Sequence, residues 1–279
     1  MSNTTAINNE LFANLVTGAQ YAAYENSVAR QLVTVFDAPA NAGKVLQVPI
    51  WGSIAAAQPG EGNVAVAADT NTTSATITLD EHVVYHRVTD LLRDSAYSDV
   101  MAQLGDQSGR AIAESLDTEV FSKFSGLSGS ATAIALANFK VDDIMDRVAA
   151  LRANKLTGPF VAVVHPTAAN AIKKALTSTS SYQAASGVAN TILQNYFVGQ
   201  LAGCTIIESA LVPYAAGTGV ATCAVFTASA LGHAMRGTLE METQRQAAYR
   251  ATDVVVKATA GAAVLQSTHG IIMNVDLVA

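Results

Sequence analysis

Charged residues are scarce in this chain of 279 residues. Asp, Glu, Lys and Arg together make up 14% of it, against roughly 25% in ordinary globular proteins. Half of the residues are apolar, which excludes a disordered chain, because such chains combine few apolar residues with high charge. With 16 Lys and Arg against 22 Asp and Glu, the sequence lacks the basic footprint of a dedicated nucleic-acid reader. We therefore expect an oligomer whose subunits cover much of one another's weakly charged surface.

Aromatic residues and cysteines are also rare, at 6% of the chain and two residues respectively. Cys204 and Cys223 lie in apolar stretches, which predicts small buried side chains. The first residues show no basic segment followed by an apolar one, so we expect no signal peptide. The longest uncharged stretch, 209–235, is interrupted by Pro213 and several glycines. Such interruptions favour strands and turns over a membrane span.

Two segments near the start carry apolar patterns without enough large side chains for a core of their own. Over residues 7–35 the apolar positions recur at helical spacing, which predicts an amphipathic arm. From residue 45 the period changes to two, and alternating runs at 45–51 and 75–87 predict the strands of a long hairpin. The insert between these strands is polar and built from small residues, so we expect it to lie on a neighbouring subunit.

The longest helical pattern runs from Ser95 to about Phe124. Gly105 and Gly109 lie inside it and share one face, where they would permit bending or close packing. Most of its polar residues, Asp117 among them, fall on the face opposite the apolar stripe. This pattern predicts one long helix that packs along a core.

Shorter elements follow this helix. Asn138 is a good N-cap for a second helix, and His165-Pro166 opens a third with proline at its first position. A buried strand is predicted just before it, at 160–164. The rest of the chain predicts mainly short strands with a turn at Gly261, at 204–207, 222–226, 238–242, 249–259 and 262–267. The fold class is therefore α+β.

No cluster of residues predicts a catalytic, cofactor or metal site. His82 and His86 alternate as strand residues, about 13 Å apart along a strand, which is too far for two ligands of one zinc ion. The segment 126–130 lacks the Gly-x-Ser-x-Gly spacing of a hydrolase nucleophile, and we expect a flexible loop there. The pair Asp142-Asp143 fits the first turn of a helix, where the dipole favours acidic residues.

The order of these elements resembles that of the HK97-type major capsid protein of tailed bacteriophages. Residues 45–87 resemble its extended E-loop, and 96–124 resemble the spine helix of its peripheral P-domain. The passage 158–166 resembles the strand-to-helix entry of its axial A-domain. The passage 201–213 also resembles part of that domain, with Cys where proline is often found, and 249–265 resembles the closing strands. The resemblance lies in order and spacing over nearly the whole chain.

The resemblance implies an α+β, HK97-like capsid fold. Its expected parts are an N-terminal arm, an E-loop hairpin, a P-domain with the spine helix, an A-domain, and closing strands shared by these two domains, at 1–44, 45–87, 88–157, 158–247 and 248–279. It also implies a structural protein, not an enzyme, that forms the hexamers and pentamers of an icosahedral shell around double-stranded DNA. The expected subunit interface lies on the arm and the hairpin, at Leu11, Leu15, Trp51, Pro59, Gly60, Glu61 and Asn63.

Partners and location follow from the same resemblance. We expect assembly in the host cytoplasm, residence in the virion, a separate scaffolding protein, a portal, and a decoration protein as a further option. No cofactor and no membrane partner are expected. The net charge of −6 fits a container that contacts packaged DNA weakly and without sequence specificity, because a lining of Lys and Arg would bind phosphates tightly.

The sequence differs from some members of this family in lacking a lysine on the E-loop. Those members join neighbouring subunits by a Lys–Asn isopeptide bond, with the lysine on the E-loop. Residues 45–86 contain no lysine here, and the nearest ones are Lys44 and Lys123. We therefore expect a shell held together without this cross-link.

Three alternatives remain open from the sequence. An encapsulin, a bacterial compartment of the same fold that encloses an enzyme, would usually have a shorter hairpin loop. A hydrolase would have to use a serine from the segment 126–130. A phage tail or decoration protein would lack so long a helix.

Overall fold

The computed structural model describes most of the chain. The described residues are 27–39, 43–52, 72–95, 100–130, 132–178, 200–201 and 203–278, with the single positions 54, 56, 58 and 61. They form two sheets, a separate two-stranded hairpin and four α-helices. Among these residues, no helix is long and apolar enough to cross a membrane.

The first sheet has four strands in the order β1-β11-β12-β4. Its strands are β1 (Thr34–Asp37), β4 (Asp80–Thr89), β11 (Leu231–Gln246) and β12 (Ala251–Val264). The three long strands are antiparallel neighbours, and β1 runs parallel to β11 at one edge. One short helix, α1 (Asp90–Ser95), follows β4, and the long helix α2 (Val100–Ser122) packs on the sheet. Ile112 and Leu116 of α2 contact a buried cluster that includes Val254 and Val256 of β12.

The second sheet has seven strands, six of them in the order β5-β13-β10-β6-β8-β7, with β9 beside β10. The strands are β5 (Ile134–Ala135), β6 (Phe160–Val164), β7 (Gln200–Leu201), β8 (Cys204–Glu208), β9 (Tyr214–Ala215), β10 (Val220–Phe226) and β13 (Gly270–Asp276). Two helices accompany it, α3 (Val141–Ala153) and α4 (Pro166–Ser178). Phe121 at the end of α2 and Phe124 in the turn that follows both lie in the core of this sheet, and the centre of the Phe124 ring lies 5.4 Å from that of Phe226. The helix α2 therefore connects the two sheets.

Several local predictions are confirmed. Pro166 is the first residue of α4, as its fixed φ favours. The strands predicted at 160–164, 204–207 and 222–226 are present with small extensions. Asp142 and Asp143 lie in the first turn of α3. In each of these cases the signal is local, because a proline, a helix dipole or a short apolar run acts within a few residues.

Two predicted helix boundaries are wrong. The expected amphipathic helix over 7–35 does not extend to its end, because Thr34–Asp37 pairs as a strand with Gly232–Met235. The cap of α3 is Lys140, not Asn138, which lies in a short 3-10 turn. The carboxylate of Asp143 accepts a hydrogen bond of 2.9 Å from the backbone N–H of Lys140. This side chain therefore closes the first turn and fixes the start of the helix.

The long helix is shorter than the prediction from Ser95 to Phe124. It begins at Val100 and ends at Ser122, where a 3-10 turn takes over. Ser95 instead ends the separate helix α1, and residues 96–99 lie outside the described part.

The end of the chain differs most from the sequence prediction. The strand β12 continues through Gly261, where a turn was expected. A Cβ at this position would lie 2.0 Å from the backbone oxygen of Thr78, so glycine is required by close packing rather than by a turn. The strand β13 was not predicted, although it lies inside the second sheet. It is almost wholly buried and therefore carries no alternating pattern.

Candidate assembly surfaces

The hairpin consists of β2 (Val45–Trp51) and β3 (Thr72–Thr78), which pair antiparallel from Val45↔Thr78 to Trp51↔Thr72. The run predicted as one strand at 75–87 divides at Leu79, because β3 pairs with β2 whereas β4 pairs with β12. This division makes the hairpin a separate ribbon that leaves the first sheet at the start of β4.

The two ends of the hairpin differ in burial. At its base, Ile77 and Leu79 are buried against Ala38 and Ala234, and the ammonium group of Lys44 lies 2.9 Å from the carboxylate of Asp80 on the exposed surface. The guanidinium of Arg236 also donates a hydrogen bond to the backbone oxygen of Gly43. The base is therefore fixed to the first sheet by both apolar and polar contacts.

The far end presents large apolar side chains to solvent. Trp51 is 69% exposed and Ile54 is 60% exposed. Removing most of an exposed tryptophan side chain from water is worth about 3 kcal/mol. An apolar end of this kind is typical of a surface that another protein chain covers.

The predicted interface residues fall partly on this described surface. Trp51 ends β2, and Glu61 is exposed beyond it. The other five predicted residues lie outside the described residues, and they are Leu11, Leu15, Pro59, Gly60 and Asn63.

The start of the described arm is held by Asp117 of α2, which sequence reasoning had placed on the polar face of the helix. Asp117 is only 3% exposed, and its carboxylate accepts hydrogen bonds from the Ser27 hydroxyl at 2.7 Å, the Val28 N–H at 2.9 Å and the Ala29 N–H at 3.2 Å. Burial raises the pKa of Asp117, while these hydrogen bonds oppose the rise. The long helix therefore holds residues 27–29, where the described part of the arm begins.

The two histidines of β4 form hydrogen bonds with side chains of α2, and they share none of their partners. The ring of His82 lies 2.7 Å from the Ser115 hydroxyl and 3.1 Å from the Glu119 carboxylate, and the Nε2 atom of His86 lies 2.9 Å from the Ser108 hydroxyl. In the described part of the chain, no three His, Cys, Asp or Glu side chains gather as metal ligands. These histidines thus connect the helix to the sheet.

His233 lies beside this contact, on β11. It is 1% exposed, and neither ring nitrogen has a hydrogen-bond partner among the described residues. Burial lowers the pKa of His233 to about 4, with a further lowering by Arg30 and an opposing effect from Glu119. His233 is therefore neutral at pH 7 inside the first sheet.

An ion pair joins β4 to β12, two neighbouring strands of the first sheet. Arg87 of β4 binds the carboxylate of Asp253 on β12 through two hydrogen bonds, of 2.7 and 2.9 Å, and its guanidinium lies 4.6 Å from the centre of the Tyr249 ring. The Arg87 guanidinium lowers the pKa of Asp253, whereas burial opposes this. Asp90, which begins α1, makes a similar two-bond contact with Arg245. These charged groups serve contacts within the subunit.

The two cysteines lie inside the second sheet, on β8 and β10. Cys204 and Cys223 are fully buried, as predicted, and burial raises the pKa of their thiols to about 12 and about 11. The segment 126–130 is not a free loop, because Ser128 forms a backbone bridge with Ile271 of β13. The backbone N–H of Ile272 also donates to the Ser128 oxygen at 2.9 Å. Ser128 is therefore held beside β13 by its own backbone.

Comparison with known proteins gives one family. Residues 72–273 match the model of a family described as phage capsid protein. No curated protein matches the chain.

Solved structures with the same fold include several phage capsid structures. The capsid of cyanophage P-SCSP1u superposes with a TM-score of 0.69 at 19% identity and covers 87% of this chain and 86% of its own. A structure from Mycobacterium phage Che8 has a TM-score of 0.65 at 18% identity, with 83% and 84% covered. The mature capsid of bacteriophage PhiM1 has a TM-score of 0.65 at 16% identity, with 90% and 87% covered. At these identities, the likeness establishes the fold.

Proposed function

Because the chain belongs to the phage capsid protein family, we propose that its copies assemble through the hairpin and the arm into the hexamers and pentamers of an icosahedral shell around double-stranded DNA. The protein is a structural major capsid protein with the HK97-type α+β fold. The encapsulin alternative is not favoured, because the matching family is that of phage capsids. The same membership supports a structural rather than an enzymatic role.

The exposed end of the hairpin is the observation that carries the assembly proposal. Trp51 is 69% exposed and Ile54 is 60% exposed in the described part of the chain, while the hairpin base is fixed by Ile77 and Leu79. A rigid base with an apolar end fits a projection that packs on an adjacent subunit. We place the subunit contacts at the seven residues Leu11, Leu15, Trp51, Pro59, Gly60, Glu61 and Asn63.

The division into domains is part of this proposal. The first sheet with α2 is the core of the proposed P-domain, and the second sheet with α4 is the core of the proposed A-domain. The proposed boundaries are those given by the resemblance, with the arm and hairpin before residue 88 and the closing strands β12 and β13 after residue 247. The strand β12 belongs to the first sheet and β13 to the second, which supports a closing segment shared by both domains.

The proposed partners are a separate scaffolding protein, a portal, a decoration protein as a further option, and packaged DNA that the shell contacts weakly. The acidic net charge of −6 supports weak DNA contact, because phosphate binding depends on the number of neutralising cations. Assembly is proposed in the host cytoplasm. The shell would be held without isopeptide bonds, since residues 45–86 contain no lysine.

The decisive experiment is expression of the chain with and without its candidate scaffolding protein, followed by sizing and negative-stain microscopy. We expect closed particles of uniform diameter, and a Trp51→Ser variant that stays in small oligomers. Thr72→Ser, at the cross-strand partner of Trp51, is the matched control and should still form particles. A stable monomer from the unmodified chain would overturn the proposal. Boiling the particles in SDS should release monomers, and covalent ladders would contradict the non-covalent shell.

A further inference from the structure

A cleft lies where α3 ends and the chain turns into β6. Its volume is about 410 Å³, and its walls are formed by Arg152, Lys155, Leu156, Thr157 and Gly158. The side chains of Arg152 and Lys155 are both exposed. The cleft therefore opens to solvent with two cations and a threonine hydroxyl on its walls. We refer to it as the basic cleft.

The two cations of this cleft have no carboxylate partner. In the residues that the structure describes, neither Arg152 nor Lys155 forms an ion pair. Arg147, earlier on the same helix, lies 3.5 Å from the carboxylate of Asp143. The C-terminal end of a helix carries the negative end of its dipole, which stabilises cations there. The dipole of α3 thus holds two positive charges at the cleft that no carboxylate neutralises.

The guanidinium of Arg152 is held in place by its surroundings. It lies 5.8 Å from the centre of the Phe160 ring, which is within the range of a cation–π contact. A Cβ at Gly203 would lie 3.0 Å from the Nη2 atom of Arg152, so the glycine leaves room for the guanidinium. A planar guanidinium can bind a phosphate through two hydrogen bonds, and it loses little freedom when it is already held.

Lys155 occupies a backbone conformation that favours glycine. Its φ is 64°, in the left-handed region where glycine is the usual residue just after a helix. Its N–H donates to the backbone oxygen of Arg152 at 2.9 Å, which closes the end of α3. A lysine at a strained position indicates that its side chain makes a functional contact. The turn thereby places this second cation beside Arg152 in the basic cleft.

We propose that the basic cleft binds the phosphate backbone of the DNA enclosed by the shell, with Arg152 and Lys155 each neutralising one phosphate charge. This inference rests on the proposed function, in which the shell surrounds DNA. Leu156, the apolar residue of this lining, packs against the core of the second sheet. The cleft thus offers little apolar surface to a protein partner. Phosphate contacts of this kind carry no sequence information, and two per subunit make a weak contact.

Titration of the unassembled full-length subunit with a short DNA duplex, followed by NMR of the amides, tests the binding. We expect the amide signals of residues 156–158 to shift. The affinity should fall about tenfold between 50 and 200 mM salt, as for two neutralised phosphates. Arg152→Gln with Lys155→Gln should abolish the shifts. The charge-matched control, Arg110→Gln with Lys140→Gln, removes two exposed cations elsewhere and should preserve them.

A second variant does not depend on the folding of the first. Lys155→Gly removes one cation at a position where the backbone favours glycine, and it should reduce the magnitude of the salt slope by about 1. Inorganic phosphate and a polyglutamate peptide are titrated as separate probes. Shifts at residues 156–158 with either of these but not with the duplex would overturn the proposal, and so would the absence of any shift.

Particles test the same contact inside the shell. Acylation of Lys155, measured by mass spectrometry relative to the exposed Lys140, should be several-fold lower in DNA-filled particles than in emptied ones. Equal ratios in the two kinds of particle would overturn the contact with enclosed DNA, while leaving the shell intact. Absence of particles from the unmodified chain would instead overturn the proposed function, and the inference about enclosed DNA with it, even if the duplex still bound the cleft.

Discussion

The second sheet and the hairpin are both built from weakly charged sequence, yet they bury their apolar side chains in opposite ways. The second sheet covers its core within the subunit, with Phe124, Phe160 and Phe226 each at most 1% exposed. The hairpin buries Ala75 and Ile77, whereas its far end presents Trp51 and Ile54 to solvent. The second sheet therefore stabilises the subunit by itself, whereas the hairpin needs a partner to bury its apolar end.

The largest effect on subunit stability is expected in the second sheet. Phe226→Ala should lower the free energy of unfolding by about 4 kcal/mol, because it leaves a cavity where the ring packs on Phe124. Tyr214→Ala, on the same sheet but 45% exposed, is the matched control and should change it far less. Denaturant unfolding of dilute subunits measures both. Equal losses for the two variants would show that this core does not dominate subunit stability.

The second-largest expected effect is a loss of subunit stability at low pH, and it arises in the first sheet, from which the hairpin projects. His233 has a pKa of about 4 in the folded subunit and about 6.5 when unfolded. As the pH falls, His233 therefore binds a proton at a higher pH in the unfolded chain than in the folded subunit. The contribution of His233 to the free energy of unfolding should be fully present above pH 6.5. About 3 kcal/mol of the unfolding free energy should be lost as the pH falls from 6.5 to 4.

Comparison with a His233→Gln variant isolates this contribution. The variant will be less stable at neutral pH, since it buries an amide, but its unfolding free energy should change less between pH 6.5 and 4. Unfolding measured across this pH range gives the difference between the two slopes. Parallel pH profiles for the two chains would contradict the assignment to His233, because Glu119, Arg30 and His82 around it are present in both.

How far the sequence predicts these regions depends on where the determining contacts lie. The start of α4 was predictable because Pro166 acts on its own residue. Thr34 and Val35 were mistaken for helix because their pairing partners, Gly232 and His233, lie about 200 residues away in the chain. Asp117 looked like a polar surface residue because its three donors come from 27–29, some 90 positions earlier.

The sequence predicted that the proposed assembly surface includes a projecting hairpin, but it predicted only some of the residues on that surface. The hairpin was evident from its alternating strands and small, polar insert, and Trp51 is exposed at the end of β2. The apolar groove between Val35, Leu116 and Met235 gave no sequence signal, because these residues come from β1, α2 and β11. A concave surface shared by three distant segments cannot be inferred from periodicity within any one of them.

A smaller effect on subunit stability is expected at Asp117, which holds the start of the described arm. Asp117→Ala should cost about 2 kcal/mol of unfolding free energy, because it leaves the donors of Ser27, Val28 and Ala29 without their acceptor. Asp106→Ala, on the same helix but half exposed and paired with Arg110, should cost less than about 1 kcal/mol. Hydrogen exchange at residues 28 and 29 should rise in the first variant only. Unchanged exchange there would show that Asp117 does not hold the arm.

The smallest effect on subunit stability should come from the residue with the largest effect on assembly. Trp51→Ser removes a side chain that is 69% exposed, so the unfolding free energy of the isolated subunit should change by less than about 0.5 kcal/mol. The same substitution removes apolar surface that would be buried only between subunits, so particle formation should be lost. Denaturation of the dilute subunit and sizing of the assembled product measure the two effects separately. A large loss of subunit stability would mean that Trp51 packs within its own chain, and the contrast between the hairpin and the second sheet would then disappear.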